Sequence, residues 1–219
     1  PGLLVITDID QSRLDRAAEI FTVEDAKSNG VDLRYINTGE GDAIAKLKEA
    51  NGGEGYDDVF VYAPVPALIE QGSALLGFNG CLNFFAGPSK QDFFAAVNFY
   101  EVHYSGHHVD GSSGGNTDDM REALELMSQG RLNTAVMITH VGGLDCAAQT
   151  IYDLPSLAGA KKLMYTQISM PLTALEDFAE LGKSDPVMAK LAEITERNNG
   201  LWSVEAEQYL LANAKAISV

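Results

Sequence analysis

Two aspartates, Asp8 and Asp10, stand where the apolar run Leu3 to Thr7 ends and the amphipathic stretch "QSRLDRAAEI" begins. A strand that delivers a carboxylate to the start of a helix opens the second half of a nucleotide-binding βαβ unit, and there the acid accepts hydrogen bonds from a ribose. Asp10 reads as the helix cap. The glycine turn that holds a pyrophosphate lies about 20 residues before such an acid, whereas this sequence opens at Pro1. Two other glycine runs do not replace it. "GEGDAI" lacks the third glycine and does not follow the first strand, and "GSSGGN" reads as a turn into a helix. His103 and His107, with the adjacent His108, have a spacing that would suit zinc on a helix. They fall around a predicted strand, where that spacing does not bring side chains together, and no cysteine or carboxylate cluster accompanies them. No metal site is therefore expected from them, and His140, in "MITHV", is expected to pack or to hydrogen-bond.

These residues need a frame, and the alternation of elements supplies one. Helix-period segments follow strand-like runs through "VDLRYINT", "DAIAKLKEA", "YDDVFVYAP", "PALIEQGSALL", "GCLNFFAGP" and "HHVDGSS". Apolar strands alternating with helices predict a parallel α/β sheet covered on both faces, with right-handed crossovers. "NGGEGYDD" and "GFNG" read as helix stops before the next strand. From Gly114 longer helices are expected: "NTDDMREALELMSQG", capped by Asn116 or Thr117 and stopped by Gly130, then "LDCAAQTIYDL", then a short strand "KKLMYT". The tail from Gln167 is helical in rhythm, with Ser184-Asp185-Pro186 as a cap and first-turn proline of one helix and "NNG" ending it.

With 219 residues, 46% of them hydrophobic, the chain can bury a core. A formal net charge of −16 argues against nucleic acid and anionic membrane surfaces as partners. Cys81 and Cys146 lie in apolar runs, which suits buried, reduced thiols in a cytoplasmic protein. No apolar run approaches the 18 to 20 residues of a membrane span.

Four stretches in order, "VITDIDQSRLDRA", "DDVFVYAPVPALIEQGSALLGFNGCLNFFAG", "HHVDGSSGG" and "MITHVGGLDCAAQTI", resemble the medium-chain, zinc-type alcohol and polyol dehydrogenases over residues 1 to about 165. Within that family "NFFAGP", "VHYSGHHVDGSSGGNTDDM" and the helical tail look most like the branch that reduces L-sorbose 1-phosphate to D-glucitol 6-phosphate. The resemblance implies a Rossmann-type doubly wound parallel sheet, order 3-2-1-4-5-6, lacking its first strand and glycine loop and followed by a helical C-terminal part. Without that central strand, facing edges are left unpaired, at about 1 to 3 kcal/mol for each buried unsatisfied group.

It further implies residues 1–113 as a partial dinucleotide-binding domain, 114–166 as a segment returning to a catalytic domain, and 167–219 as an extension. The chain is then the later part of a longer enzyme, expected to be inactive alone. Cofactor contacts carried over are Asp8, Ile9 and Arg13, then Ala63, Pro64, Phe85, Ala86 and Gly87 around the ribose groups, and Ser112, Ser113 and Gly114 at the carboxamide. NAD is favoured over NADP, because a 2′-phosphate beside Asp8 costs on the order of 1 kcal/mol in water. Zinc ligands, the catalytic domain and the catalytic residues are expected upstream, with a sugar phosphate or polyol as substrate. Homo-oligomerisation is expected, with the strand around Val109 near the contact. Two alternatives stay open: a zinc-independent relative of the quinone-reductase kind, and a noncatalytic nucleotide-sensing module.

Overall fold

A computed structural model describes residues 1–218, which divide into two compact units at Asn116/Thr117. The first unit runs β1 (Leu3–Asp8), α1 (Gln11–Ile20), α2 (Val23–Ser28), β2 (Asp32–Asn37), α3 (Ala43–Ala50), β3 (Tyr56–Val61), α4 (Pro66–Leu75), β4 (Leu76–Phe84), α5 (Phe99–Tyr104) and β5 (His108–Gly111). Side-chain oxygens of Asp10, Thr22 and Asp42 accept backbone N–H groups at the starts of α1, α2 and α3, and Pro66 occupies the first turn of α4. Leu14 is the buried residue of α1, with Ala17, Ala18 and Ile20 partly buried on the same face.

All pairings in this unit are parallel, and they form two separate pieces, β1–β2 and β3–β4–β5. In the first piece Leu3 lies opposite Asp32 and Asp8 opposite Asn37. Asp32 N–H donates to Gly2 O at 2.9 Å and Thr38 N–H to Asp8 O at 3.1 Å. Because a residue in a parallel ladder turns its N–H and C=O to the same side, Gly2, Leu4, Ile6 and Asp8 serve β2, while Leu3, Val5 and Thr7 turn theirs to the open edge. In the second piece Val61 O accepts from Phe85 N–H at 3.1 Å, which commits Val59 and Val61 to β4 and turns Asp58 and Phe60 to the other open edge. Val61, Ile69, Leu76 and Leu82 form a buried cluster against α4.

One helix stop is misplaced by the sequence reading. Strand β4 already begins at Leu76, and "GFNG" is a bulge inside it, where the partner of Tyr56 is Leu76 but the partner of Asp58 is Cys81. Asn79 has φ of 60°, and a Cβ on Gly55 would sit 2.3 Å from Gly77. The glycines permit two backbones to touch.

The second unit runs α6 (Thr117–Ser128), β6 (Ile138–Gly143), α7 (Ala147–Asp153), β7 (Lys161–Tyr165), β8 (Thr173–Ala174), α8 (Phe178–Leu181), α9 (Pro186–Arg197) and α10 (Val204–Asn213). Its sheet has the order β7-β6-β8, with β8 antiparallel to β6. The tail is therefore not wholly helical: β8 pairs through two residues only, too few to show an alternating pattern in the sequence. Val141, Ile168, Phe178, Leu191, Trp202 and Leu210 share one core, so strands and tail helices close over the same apolar centre. Both cysteines are free but only partly buried, a correction to the expected burial. Cys146 lies at a helix start, where its thiol donates to Gly143 O at 3.2 Å.

Candidate functional site

The candidate site lies at the carboxyl ends of the parallel strands, where open α/β sheets place their ligands. Asp8 ends β1 with its side chain 28% exposed. Its Oδ1 accepts the Asp10 N–H at 2.9 Å, which fixes the carboxylate, and its Oδ2 lies 3.6 Å from the Arg13 guanidinium. Arg13 also approaches Asp10 at 3.7 Å and is largely exposed. Asp10 caps α1 through the N–H and hydroxyl of Ser12, and these hydrogen bonds hold its carboxyl below the usual range. Ile9 is exposed between the two acids, with its carbonyl 3.4 Å from the Asn37 amide.

The remaining sequence-derived positions gather on the other sheet piece. Ala63 and Pro64 follow β3 after one intervening residue, Tyr62. Phe85 and Ala86 follow β4 and donate their N–H groups to Val61 O at 3.1 and 3.2 Å, so that Ala63, Pro64, Phe85, Ala86 and Gly87 share one rim. Ser112, Ser113 and Gly114 continue that rim after β5, whose Gly111 pairs with Phe84. Gly114 turns the chain with φ of 64°. The structure thus brings together Asp8, Ile9 and Arg13 on one piece and the other eight residues on the second.

Sequence reasoning passed over Tyr62. Its ring meets Phe85 edge-on at 5.6 Å and stacks on Phe60 at 6.3 Å, placing an aromatic row beside the rim. The alternation in "VFVY" was the available signal. The histidines are separate in role. His108 Nε2 lies 3.1 Å from Asn79 Oδ1, His103 packs on Tyr104, and His107 is buried with Nδ1 unpartnered. Among the described residues no three His, Cys, Asp or Glu side chains form a metal-binding group, so the side chains present do not fit zinc. His140 is half-buried in β6 and lies 2.9 Å from the Thr139 hydroxyl; burial, reinforced by Lys162, pushes its pKa down.

Residues 4–129 match the model of the zinc-binding dehydrogenases, more than half of the chain. The chain belongs to that family. It is 49% identical over 212 residues to the mannitol-1-phosphate 5-dehydrogenase of Aliivibrio fischeri, covering 96% of this chain and 50% of the relative. It is 44% identical over 218 residues to the L-sorbose 1-phosphate reductase of Klebsiella pneumoniae, covering 100% and 50%. The chain therefore spans about half the length of the curated relatives it matches. An alcohol dehydrogenase zinc-binding domain protein from Burkholderia ambifaria superposes with a TM-score of 0.59 at 24% identity, over 76% of this chain and 41% of that one, which supports the zinc-binding dehydrogenase fold.

Proposed function

We propose that this chain is the cofactor-binding part of a zinc-dependent oxidoreductase that moves hydride between NAD(P)H and a sugar phosphate or polyol. The observation that carries the proposal is that an ordered carboxylate ends β1 and a small-residue rim ends β3 to β5, each at the carboxyl end of parallel strands, in a chain of the zinc-binding dehydrogenase family. In this reading Asp8 accepts the adenosine ribose hydroxyls and Arg13, swinging on a long exposed side chain, lies beside them. Ile9 flanks the adenine end. Ala63, Pro64, Phe85, Ala86 and Gly87 leave room for the cofactor backbone and riboses, and backbone groups of Ser112, Ser113 and Gly114 meet the carboxamide.

Residues 1–113 carry the cofactor, residues 114–166 return to a catalytic domain, and residues 167–219 extend it. When bound, the nicotinamide would supply hydride for a carbonyl carbon, with the proton for its oxygen drawn from solvent, and zinc, for which the described side chains offer no site, would supply an electrophile from residues outside this chain. The substrate proposed is L-sorbose 1-phosphate, giving D-glucitol 6-phosphate, a choice supported by similarity to a relative of that name and shared with a mannitol-1-phosphate dehydrogenase. The enzyme is proposed to work in the cytoplasm as a homo-oligomer, its copies meeting along β5, whose Val109 is exposed.

The test uses the full-length protein that contains this chain. It should bind NADH more tightly than NADPH, reduce the ketose phosphate and lose turnover to a chelator. Asp8→Ser should shift the NADPH-to-NADH affinity ratio by about fivefold or more toward NADPH, since removing a repulsion of about 1 kcal/mol corresponds to that factor. An unchanged ratio would return Asp8 to a turn residue. NADH binding without turnover on any sugar phosphate or polyol would favour nucleotide sensing.

A further inference from the structure

We infer that the first unit carries a second ligand site, a cleft for an uncharged polyhydroxy compound, at the amino ends of β4 and β5 and away from the cofactor rim. The cleft has a volume of about 600 Å³ and is lined by Lys48 of α3, Glu70 and Ser73 of α4, Asn98 and Glu101 at the start of α5, and His107. Leu76, which begins β4, also lines it, and His107 directly precedes β5, so the cleft lies at strand starts. The rim follows strand ends. The inference stands on this cleft and does not depend on the cofactor reading.

The residue that points to a ligand is His107. It is 8% exposed and its Nδ1 has no hydrogen-bond partner, although buried polar side chains are ordinarily paired. Ser73, 7% exposed, likewise makes no side-chain hydrogen bond among the described residues. Lys48 is half-buried and takes part in no ion pair among them. Each acid in the lining keeps one oxygen to spare: Glu70 Oε1 accepts the Ala96 N–H at 3.0 Å, and Glu101 Oε2 accepts the Ser105 hydroxyl at 2.5 Å. Asn98 Oδ1 accepts the Tyr100 N–H at 3.0 Å, which leaves its amide N–H groups free to donate.

Spare donors and spare acceptors therefore share one lining, and a row of hydroxyls, each able to donate and to accept, answers both. A hydroxyl also serves His107 Nδ1 in either tautomer. Phosphate does not fit, because two carboxylates outweigh one lysine in a chain whose formal net charge is −16. A metal ion does not fit either, because no three His, Cys, Asp or Glu side chains among the described residues are grouped to hold one.

The probe is D-glucitol, titrated without nucleotide into the full-length protein that contains this chain, prepared with isotope-labelled histidine. The ring signals of His107, identified by their loss in His107→Gln, should shift saturably. Lys48→Met and Glu70→Gln each remove a charge but keep the lysine stem and the Ala96 acceptor. Each should melt with the parent and weaken the titration about tenfold or more, as loss of a hydrogen bond to a charged group does. An unmoved His107 signal in the parent overturns the inference whatever the variants do, and so does a shift of undiminished affinity in both variants. A tighter response to inorganic phosphate overturns it too, as does a His107 signal that moves with protein concentration alone, which would make the cleft a contact between copies. Failure of NADH to bind bears only on the cofactor reading, since the His107 titration contains no nucleotide.

Discussion

Asp8 and Asp145 show how one residue type takes different work from its surroundings. Asp8 has one oxygen fixed by the Asp10 N–H and the other facing Arg13 and solvent, so it can still accept from a ligand. Asp145 faces its own chain: Oδ2 accepts the Ser169 hydroxyl at 2.5 Å and Oδ1 the Met170 N–H at 3.1 Å. Those two hydrogen bonds, the hydroxyl one first, hold its carboxyl below the usual range. A carboxyl depressed by folding stabilises the native state above its unfolded pKa, and the contribution disappears as pH falls through the folded value. Asp145→Asn should therefore be less stable than the parent at neutral pH, and the gap should close below about pH 4. Urea denaturation at pH 7, 5 and 3 measures it, and a pH-independent gap would remove the ionised hydrogen bonds as the cause. Asp8 was legible in the sequence because a strand followed by an acid and a helix is a local pattern. The bonds of Asp145 span 24 and 25 residues and leave no such trace.

At the scale of elements, the ends of α9 are set by near neighbours, whereas the end of β6 is set by a distant stretch of chain. Asp185 caps α9 by accepting the Val187 N–H at 2.8 Å, with Pro186 in the first turn and Asn199 and Gly200 at φ of 55° and 75° beyond its end. Each of these is set by residues within one turn. Strand β6 ends differently, at Gly143, whose N–H donates to Met170 O at 2.9 Å. A Cβ there would stand 2.4 Å from Ile168 O and 2.5 Å from Met170 N, both backbone atoms that cannot rotate away. Gly143→Ala should cost about 3 kcal/mol or more through that overlap. Asp185→Ala should cost about 1 kcal/mol. Thermal denaturation ranks the pair, and a Gly143→Ala variant as stable as Asp185→Ala would mean that the Ile168–Met170 segment yields freely.

At the scale of the whole molecule, the two units close their cores by different means. The second gathers strands β6 and β7 with α8, α9 and α10 around Phe178, Leu191 and Trp202. The first divides its parallel strands into two pieces with open edges. Trp202 is the only tryptophan in the sequence and lies in the second core, so its fluorescence follows that unit, while far-ultraviolet dichroism follows both. Denaturant titration of the chain should give noncoincident curves, with dichroism beginning to fall before tryptophan emission changes. Superimposable curves would show a single cooperative transition. The sequence by itself determined the α/β alternation, the Asp10 and Asp185 helix caps and the acid at the end of β1, because each depends on periodicity or on neighbours a few residues apart. Tertiary structure alone decided that "GFNG" bulges within β4 and that Thr173 and Ala174 pair with β6. Those outcomes depend on which backbone groups meet across long stretches of chain, and backbone hydrogen bonding is nearly the same for every residue type, so side-chain order does not encode it locally.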